Sequence, residues 1–299
     1  MAVRFARGIG SGHIDVAYER FGDETSPPVV MVMGLSSQMI HWPDAFCEEL
    51  ARQQLHVIRF DNRDAGLSTH VTDGPLPDFQ AAMSGDLSSA SYTLSDMASD
   101  TVGLLDWLAI DSAHVVGASM GGYIAQMIAI EHSQRVRTLT CLMSNTGDPS
   151  VGQPSGEVMQ LLSLPSPKTR EEAIERAVSA ARIVGSPGFD FDEDATRARA
   201  TLAYDRSYDP HGIARQAIAC IASGDRTSRL RSLRVPTLAI HGADDKMCDV
   251  SGGKAIADAI EGSRLIVIEG MGHSLPRALW PQIASSIAEH VRAYESAVP

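Results

Sequence analysis

Cysteine is scarce in this chain: Cys47, Cys141, Cys220 and Cys248 are the four in 299 residues. None stands in C-x-x-C spacing, which removes the usual redox and thiolate-metal motifs. The scatter fits four reduced thiols in a cytoplasmic protein. Positive charge is in deficit as well, with 25 Lys and Arg against 37 Asp and Glu and a formal net charge of −12. That balance excludes nucleic acid and anionic membrane surfaces as expected partners, because both demand basic patches. No apolar run is long enough for a membrane span. Met1 to Gly10 carries Arg4 and Arg7 without a following apolar core, so it does not read as a secretory signal. H-E-x-x-H and G-x-x-x-x-G-K-[ST] are absent. Gly8, Gly10 and Gly12 lack the G-x-G-x-x-G spacing and no helical segment follows them. Asp190 to Asp194 opens like a calcium loop, but Ala195 stands where glycine is needed and Thr201 where the bidentate Glu is needed. The chain is therefore expected to use no metal and no cofactor.

What remains is an ordinary globular composition, 44% hydrophobic and 21% charged, with a β/α rhythm. A loosely alternating stretch from Val3 to Tyr18 reads as an edge hairpin. A continuous apolar run at Pro28–Met33 reads as a strand buried on both faces, Leu55–Phe60 as the next buried strand, and His114–Gly117, Val136–Met143, Val235–Ile240 and Arg264–Ile268 as further strands. Helical spacing fills Pro43–Gln54, Ser95–Ala109, Tyr123–Ile130 and Gly252–Ile260, and a closing helix is expected to begin near Pro276. Gly74–Ser91 reads as a surface excursion. Alternating strands and helices imply a mostly parallel, doubly wound α/β sheet with right-handed crossovers. The rhythm breaks between residues 147 and 234, where Glu171–Val184, Glu193–Tyr204 and Gly212–Ser223 read as helices. The expected organisation is an α/β core of residues 1–146 and 235–299 with a helical cap, or lid, at 147–234.

The chain is organised around Gly117-Ala118-Ser119-Met120-Gly121. An apolar strand runs into it and a helix runs out. That is the layout of a nucleophile elbow, a sharp turn that lifts a serine hydroxyl clear of the sheet. Small residues must flank the serine because strand and helix pass close together. A serine hydroxyl needs a base and a group to orient that base, and in doubly wound sheets both should follow later strands. Asp244 and Asp245 follow one such strand. His273 follows the last strand and precedes the last helix. The order Ser119, Asp, His273 is one of the known orders of a serine triad. The backbone N–H of Met120, next to the serine, and that of Leu35, after the first buried strand, are placed to bind an oxyanion, with Gly34 giving the chain room to turn. His41, Trp42, Met247 and Met271 fall beside these residues, and with Gly34 they are the expected lining of an apolar pocket.

Three stretches carry a family resemblance: Leu55–Ser68 (LHVIRFDNRDAGLS), Ala113–Gly121 (AHVVGASMG) and Ile268–Pro276 (IEGMGHSLP). They resemble the α/β-hydrolase-fold serine esterases over nearly the whole chain, and within these the aclacinomycin methylesterases. The resemblance implies an eight-stranded sheet with a helical cap after the sixth strand. Its G-x-x-D pattern maps onto Gly242–Asp245 and selects Asp245 as the triad acid. Met33-Gly34-Leu35 departs from the H-G-x form of many esterases, and no G-G-G-x motif is present. The expected function is cofactor-free hydrolysis of a small or medium, largely apolar carboxylic ester by a monomer or homodimer. The same triad also serves C–C bond, lactone and amide hydrolysis and perhydrolysis, and a hydrolase fold can be kept merely to bind a ligand.

Overall fold

The computed structural model describes residues 2–297, so residue 1 and residues 298–299 of the expected core lie outside the described residues. Eight strands form one sheet: β1 (Arg4–Ile9), β2 (Ile14–Phe21), β3 (Pro28–Val32), β4 (His56–Phe60), β5 (Ala113–Ala118), β6 (Val136–Leu142), β7 (Thr237–Gly242) and β8 (Arg264–Ile268). Their spatial order is β1-β2-β4-β3-β5-β6-β7-β8. β1 and β2 form the hairpin and run antiparallel, while β3 to β8 are parallel. The helices are α1 (Asp44–Arg52), α2 (Phe79–Met83), α3 (Leu94–Trp107), α4 (Met120–Glu131), α5 (Gly156–Leu162), α6 (Arg170–Val184), α7 (Glu193–Arg206), α8 (Pro210–Ser223), α9 (Thr227–Leu230), α10 (Ser251–Ala259) and α11 (Trp280–Glu295).

Alternate residues of the central strands enter two cores. Val30 and Val32 of β3 join Leu104, Ile124 and Ile128 of α3 and α4 on one face. Val29, Met31 and Met33 join Phe46 and Leu50 of α1 and Ile283 and Ile287 of α11 on the other. This two-sided burial is why the strands read as unbroken apolar runs. No helix among the described residues is long and apolar enough to cross a membrane.

β3 pairs with β4 on one side and with β5 on the other. The winding therefore reverses direction there, and the loops leaving β3 and β5 diverge at the carboxyl edge to open a crevice. The loop after β3 carries Gly34 and Leu35, and the loop after β5 carries Ser119. Helices α5 to α9 all fall between β6 and β7 and make up the insertion.

Two expectations need correction. The closing helix α11 begins at Trp280, with Pro281 in its first turn, and Pro276 only caps a short 3-10 turn at Arg277–Leu279. β7 extends through His241 and Gly242, two residues past the expected end at Ile240, because both still pair with β8.

Candidate active site

Ser119 is held at φ +54° and ψ −124°, a conformation that glycine enters freely and other residues enter under strain. Its neighbours keep it there. Its N–H donates to the Leu142 carbonyl at 2.9 Å, and its own carbonyl accepts from the Gly122 N–H at 2.8 Å and the Ser144 hydroxyl at 2.9 Å. The glycines are required by close backbone approach. A Cβ on Gly117 would lie 2.1 Å from the Gly121 carbonyl oxygen, and one on Gly121 would lie 2.1 Å from that of Val32. The elbow is thus wedged between β3 and β6.

Gly34 lies directly against the elbow, since a Cβ there would sit 3.0 Å from Ser119 Cβ and 3.6 Å from its Oγ. Among the described residues neither the Leu35 N–H nor the Met120 N–H has a hydrogen-bond partner. Met120 opens α4, so its N–H belongs to the free donors at the helix start, where the helix dipole favours negative charge. The Met120 side chain is buried in the core.

His273, in the loop after β8, and Asp245, in the loop after β7, come together at the carboxyl edge of the sheet. His273 Nδ1 lies 2.7 Å from Asp245 Oδ2. The Asp245 side chain is fully buried, and its Oδ1 accepts the N–H groups of Met247 at 2.9 Å and Cys248 at 2.8 Å. A third group went unnoticed in the sequence. His241 Nε2 lies 3.5 Å from Asp245 Oδ2 and donates to the Cys248 carbonyl at 2.7 Å. Burial lowers the pKa of His241, so its ring is neutral and places a dipole, not a charge, behind the carboxylate. Asp244 instead accepts the Gly270 N–H at 2.9 Å, joining the acid loop to the histidine loop.

The remaining pocket expectations divide. Trp42 is fully buried, stacked on Phe46 at 6.0 Å, and Met271 is fully buried beside Ile268 and Leu279. Both are core packing and not pocket lining. Met247 is half-buried and lies in the turn that holds Asp245. His41 is half-buried and bonded to Gln38 at 3.1 Å. Burial and the nearby Arg199 and Arg206 guanidinium groups bring its pKa down to about 4.

The polar loop Asp61-Asn62-Arg63-Asp64 has a role that its sequence did not announce. Asn62 donates to the Met33 carbonyl at 2.8 Å, and Asp61 accepts the Met39 N–H at 2.7 Å, so the loop fixes both flanks of the Gly34–Leu35 turn. It also anchors the insertion. Arg206 pairs with Asp61, Arg215 pairs with Asp64 through two contacts of 2.8 Å, and Gln216 donates to the Arg63 carbonyl at 2.7 Å. Asp64, His70 and Asp209 converge closely enough to suggest a metal cluster. The Arg215 guanidinium lies among them, bonded to both aspartates, and supplies the positive charge itself. The calcium-like stretch serves otherwise too: Asp192 caps α7 by accepting the Ala195 N–H at 2.9 Å.

Comparison with known proteins shows the family to which this fold belongs. Residues 27–276 match the family model for the alpha/beta hydrolase fold. The chain is 30% identical to the rhodomycin D methylesterase DauP of Streptomyces sp. strain C5, over 96% of this chain and 98% of that protein. It is 26% identical to the 3-oxoadipate enol-lactonase 2 of Acinetobacter baylyi, over 85% of this chain and 86% of that one. Among solved structures, the 2-hydroxy-6-oxo-6-phenylhexa-2,4-dienoate hydrolase of Rhodococcus sp. strain RHA1 superposes with a TM-score of 0.73 at 20% identity, covering 97% of this chain and all of that one. That likeness reports shape alone. The matched span includes the elbow, the acid loop and all but the closing helix of the α/β core after it, and the chain belongs to the alpha/beta hydrolase fold family.

Proposed function

We propose that the chain is a serine carboxylic ester hydrolase in which Ser119 is the nucleophile, His273 the base and Asp245 the acid that orients it. The observation that carries this reading is the 2.7 Å contact between His273 Nδ1 and Asp245 Oδ2. With Nδ1 donating its proton to the carboxylate, the lone pair of Nε2 is left to accept one from a hydroxyl. His273 Nε2 takes the Ser119 proton as Oγ attacks the ester carbonyl. The oxyanion that forms is held by the N–H groups of Leu35 and Met120, both without another partner among the described residues. Collapse of the tetrahedral intermediate breaks the acyl–oxygen bond. His273 returns the proton to the departing alcohol, leaving an acyl-Ser119. Water, deprotonated by the same imidazole, then releases the acid and restores the serine. Asp245 stays ionised throughout and stabilises the imidazolium.

The kinship with rhodomycin D methylesterases makes a methyl ester, with methanol as the leaving alcohol, the first substrate to test. In this reading residues 147–234 act as a cap over the crevice and shape an apolar pocket for a small or medium ester. The four unpaired thiols fit a cytoplasmic site of action. The test is turnover of p-nitrophenyl butyrate and of aryl methyl esters by the parent and by Ser119→Ala, together with mass-spectrometric localisation of a fluorophosphonate adduct. Ester turnover that Ser119→Ala abolishes, with the adduct on Ser119, supports the reading. Turnover that survives the substitution refutes it. Enol-lactones belong in the substrate panel because a lactonase is among the relatives, and lactone turnover without ester turnover would move the reading to that chemistry.

A further inference from the structure

The loop that bears His273 is held from two sides. The imidazole is fixed by Asp245 of the core, whereas the backbone is fixed by the insertion. At the end of α6 the Val184 carbonyl accepts the His273 N–H at 2.7 Å. The next residues continue along the loop. Ser186 Oγ accepts the Gly272 N–H at 2.9 Å and lies 2.8 Å from Ser274 Oγ, and the Gly188 N–H donates to the Gly270 carbonyl at 2.9 Å. The two backbones touch. A Cβ on Gly272 would sit 2.0 Å from the Gly185 carbonyl oxygen, and one on Gly270 would sit 2.8 Å from Gly188 Cα. Gly270, at φ +74°, and Gly272 would otherwise make this loop pliable on the amino side of the histidine.

We infer that Ser186 is a positioning residue for His273. Its single hydroxyl spans the histidine, holding the residue before it through the Gly272 N–H and the residue after it through the Ser274 hydroxyl. The residues on both sides of His273 are thereby tied to the insertion, one through its backbone N–H and the other through its hydroxyl, and the reach of Nε2 toward Ser119 depends on how the end of α6 is seated. This rests on the triad proposed above and adds to it a residue 67 positions further along the chain than Ser119, on an element that supplies none of the triad. A misplacement of about 1 Å in a base can cost on the order of 10²-fold in rate, so a loosened loop has a measurable effect.

The experiment compares parent, Ser186→Ala and Ser186→Thr in two assays. One is steady-state hydrolysis of p-nitrophenyl butyrate. The other is the second-order rate at which a fluorophosphonate modifies Ser119, which reports activation of the nucleophile whatever the natural substrate is. Ser186→Ala is expected to lower both kcat and the labelling rate about tenfold with KM changed less than twofold. Ser186→Thr, which keeps the hydroxyl, is expected to recover most of both. Parent-like labelling by Ser186→Ala, a loss confined to KM, or failure of Ser186→Thr to recover the labelling rate would each overturn the inference. A parent that is labelled at Ser119 yet hydrolyses no ester would sink the esterase reading and leave this one to be decided by the labelling rates.

Discussion

Arg206, carried by the last turn of α7, lies 2.5 Å from the carboxylate of Asp61 at the end of β4. The Asp61 side chain is fully buried and that of Arg206 nearly so. The pair therefore joins insertion to core where water competes weakly. Burial raises the pKa of Asp61 and the Arg206 charge opposes that rise.

Removing one member of such a pair leaves a charge without compensation. Arg206→Leu is expected to cost about 3–5 kcal/mol of stability, measured by urea denaturation at neutral pH. The double variant Asp61→Asn with Arg206→Leu should recover part of that loss. An Arg206→Leu protein as stable as the parent would show that the contact contributes nothing.

The strained serine should trade stability for activity. Holding a residue other than glycine in the Ser119 conformation costs on the order of 1–3 kcal/mol, and glycine gives back part of that through its freer unfolded chain. Ser119→Gly is expected to be inactive toward p-nitrophenyl butyrate yet to melt at a higher temperature than the parent. A variant with an unchanged or lower Tm would show that the elbow stores no such strain.

Gly121→Ala tests the close passage of α4 over β3. The new methyl would meet the Val32 carbonyl at 2.1 Å, and a strand carbonyl cannot rotate away as a side chain can. A loss of at least about 1–3 kcal/mol, as for an overpacked core, is expected in thermal or urea unfolding. Gly262→Ala is the control for a loop glycine with open space around it, although its φ of +77° alone should cost something.

Acid should destabilise the fold through its buried histidines, against the opposing contribution of Asp61 and Asp100, whose carboxyls burial pushes up, that of Asp100 to about 6. Burial lowers the pKa of His41, His56, His114, His241 and His290 from the ordinary value of 6.5, that of His41 to about 4. Between the folded and unfolded values the unfolded chain binds more protons, so stability falls as pH drops. Urea midpoints should therefore decline from pH 6.5 toward pH 4, and His41→Asn should flatten the slope. A midpoint constant over that interval would contradict the assignment of these rings as neutral.

Strand and helix positions were legible because two-sided burial writes itself as apolar runs and amphipathic burial as helical spacing. The expected Pro28–Met33 strand is β3 with one residue more, and the expected Glu171–Val184 helix lacks only Arg170 of α6. Helices α2, α5 and α9 went unread because four to seven residues span too little of a helical period to show one. The Asp61–Asp64 loop was legible only as polar. Its partners Arg206 and Arg215 stand about 150 positions away, and no local pattern ties them to it. His241 was missed for a related reason: its meaning lies in a 3.5 Å approach to Asp245 across a turn, whereas in sequence it is only the first residue past the expected Val235–Ile240 strand. Trp42 and Met271 erred in the opposite direction. Nearness to the site in sequence suggested a pocket, and packing against α1 and α11 took both side chains into the core.

Burial has one practical consequence for the thiols. It pushes Cys47, Cys141 and Cys220 up to about 12 and raises Cys248 as well, so at neutral pH almost none of the four is thiolate. Maleimide dyes should pass over the native protein. A cysteine engineered on the exposed face of α6 would then be its one labelling handle, from which a fluorophore could report how far the end of that helix travels during a turnover.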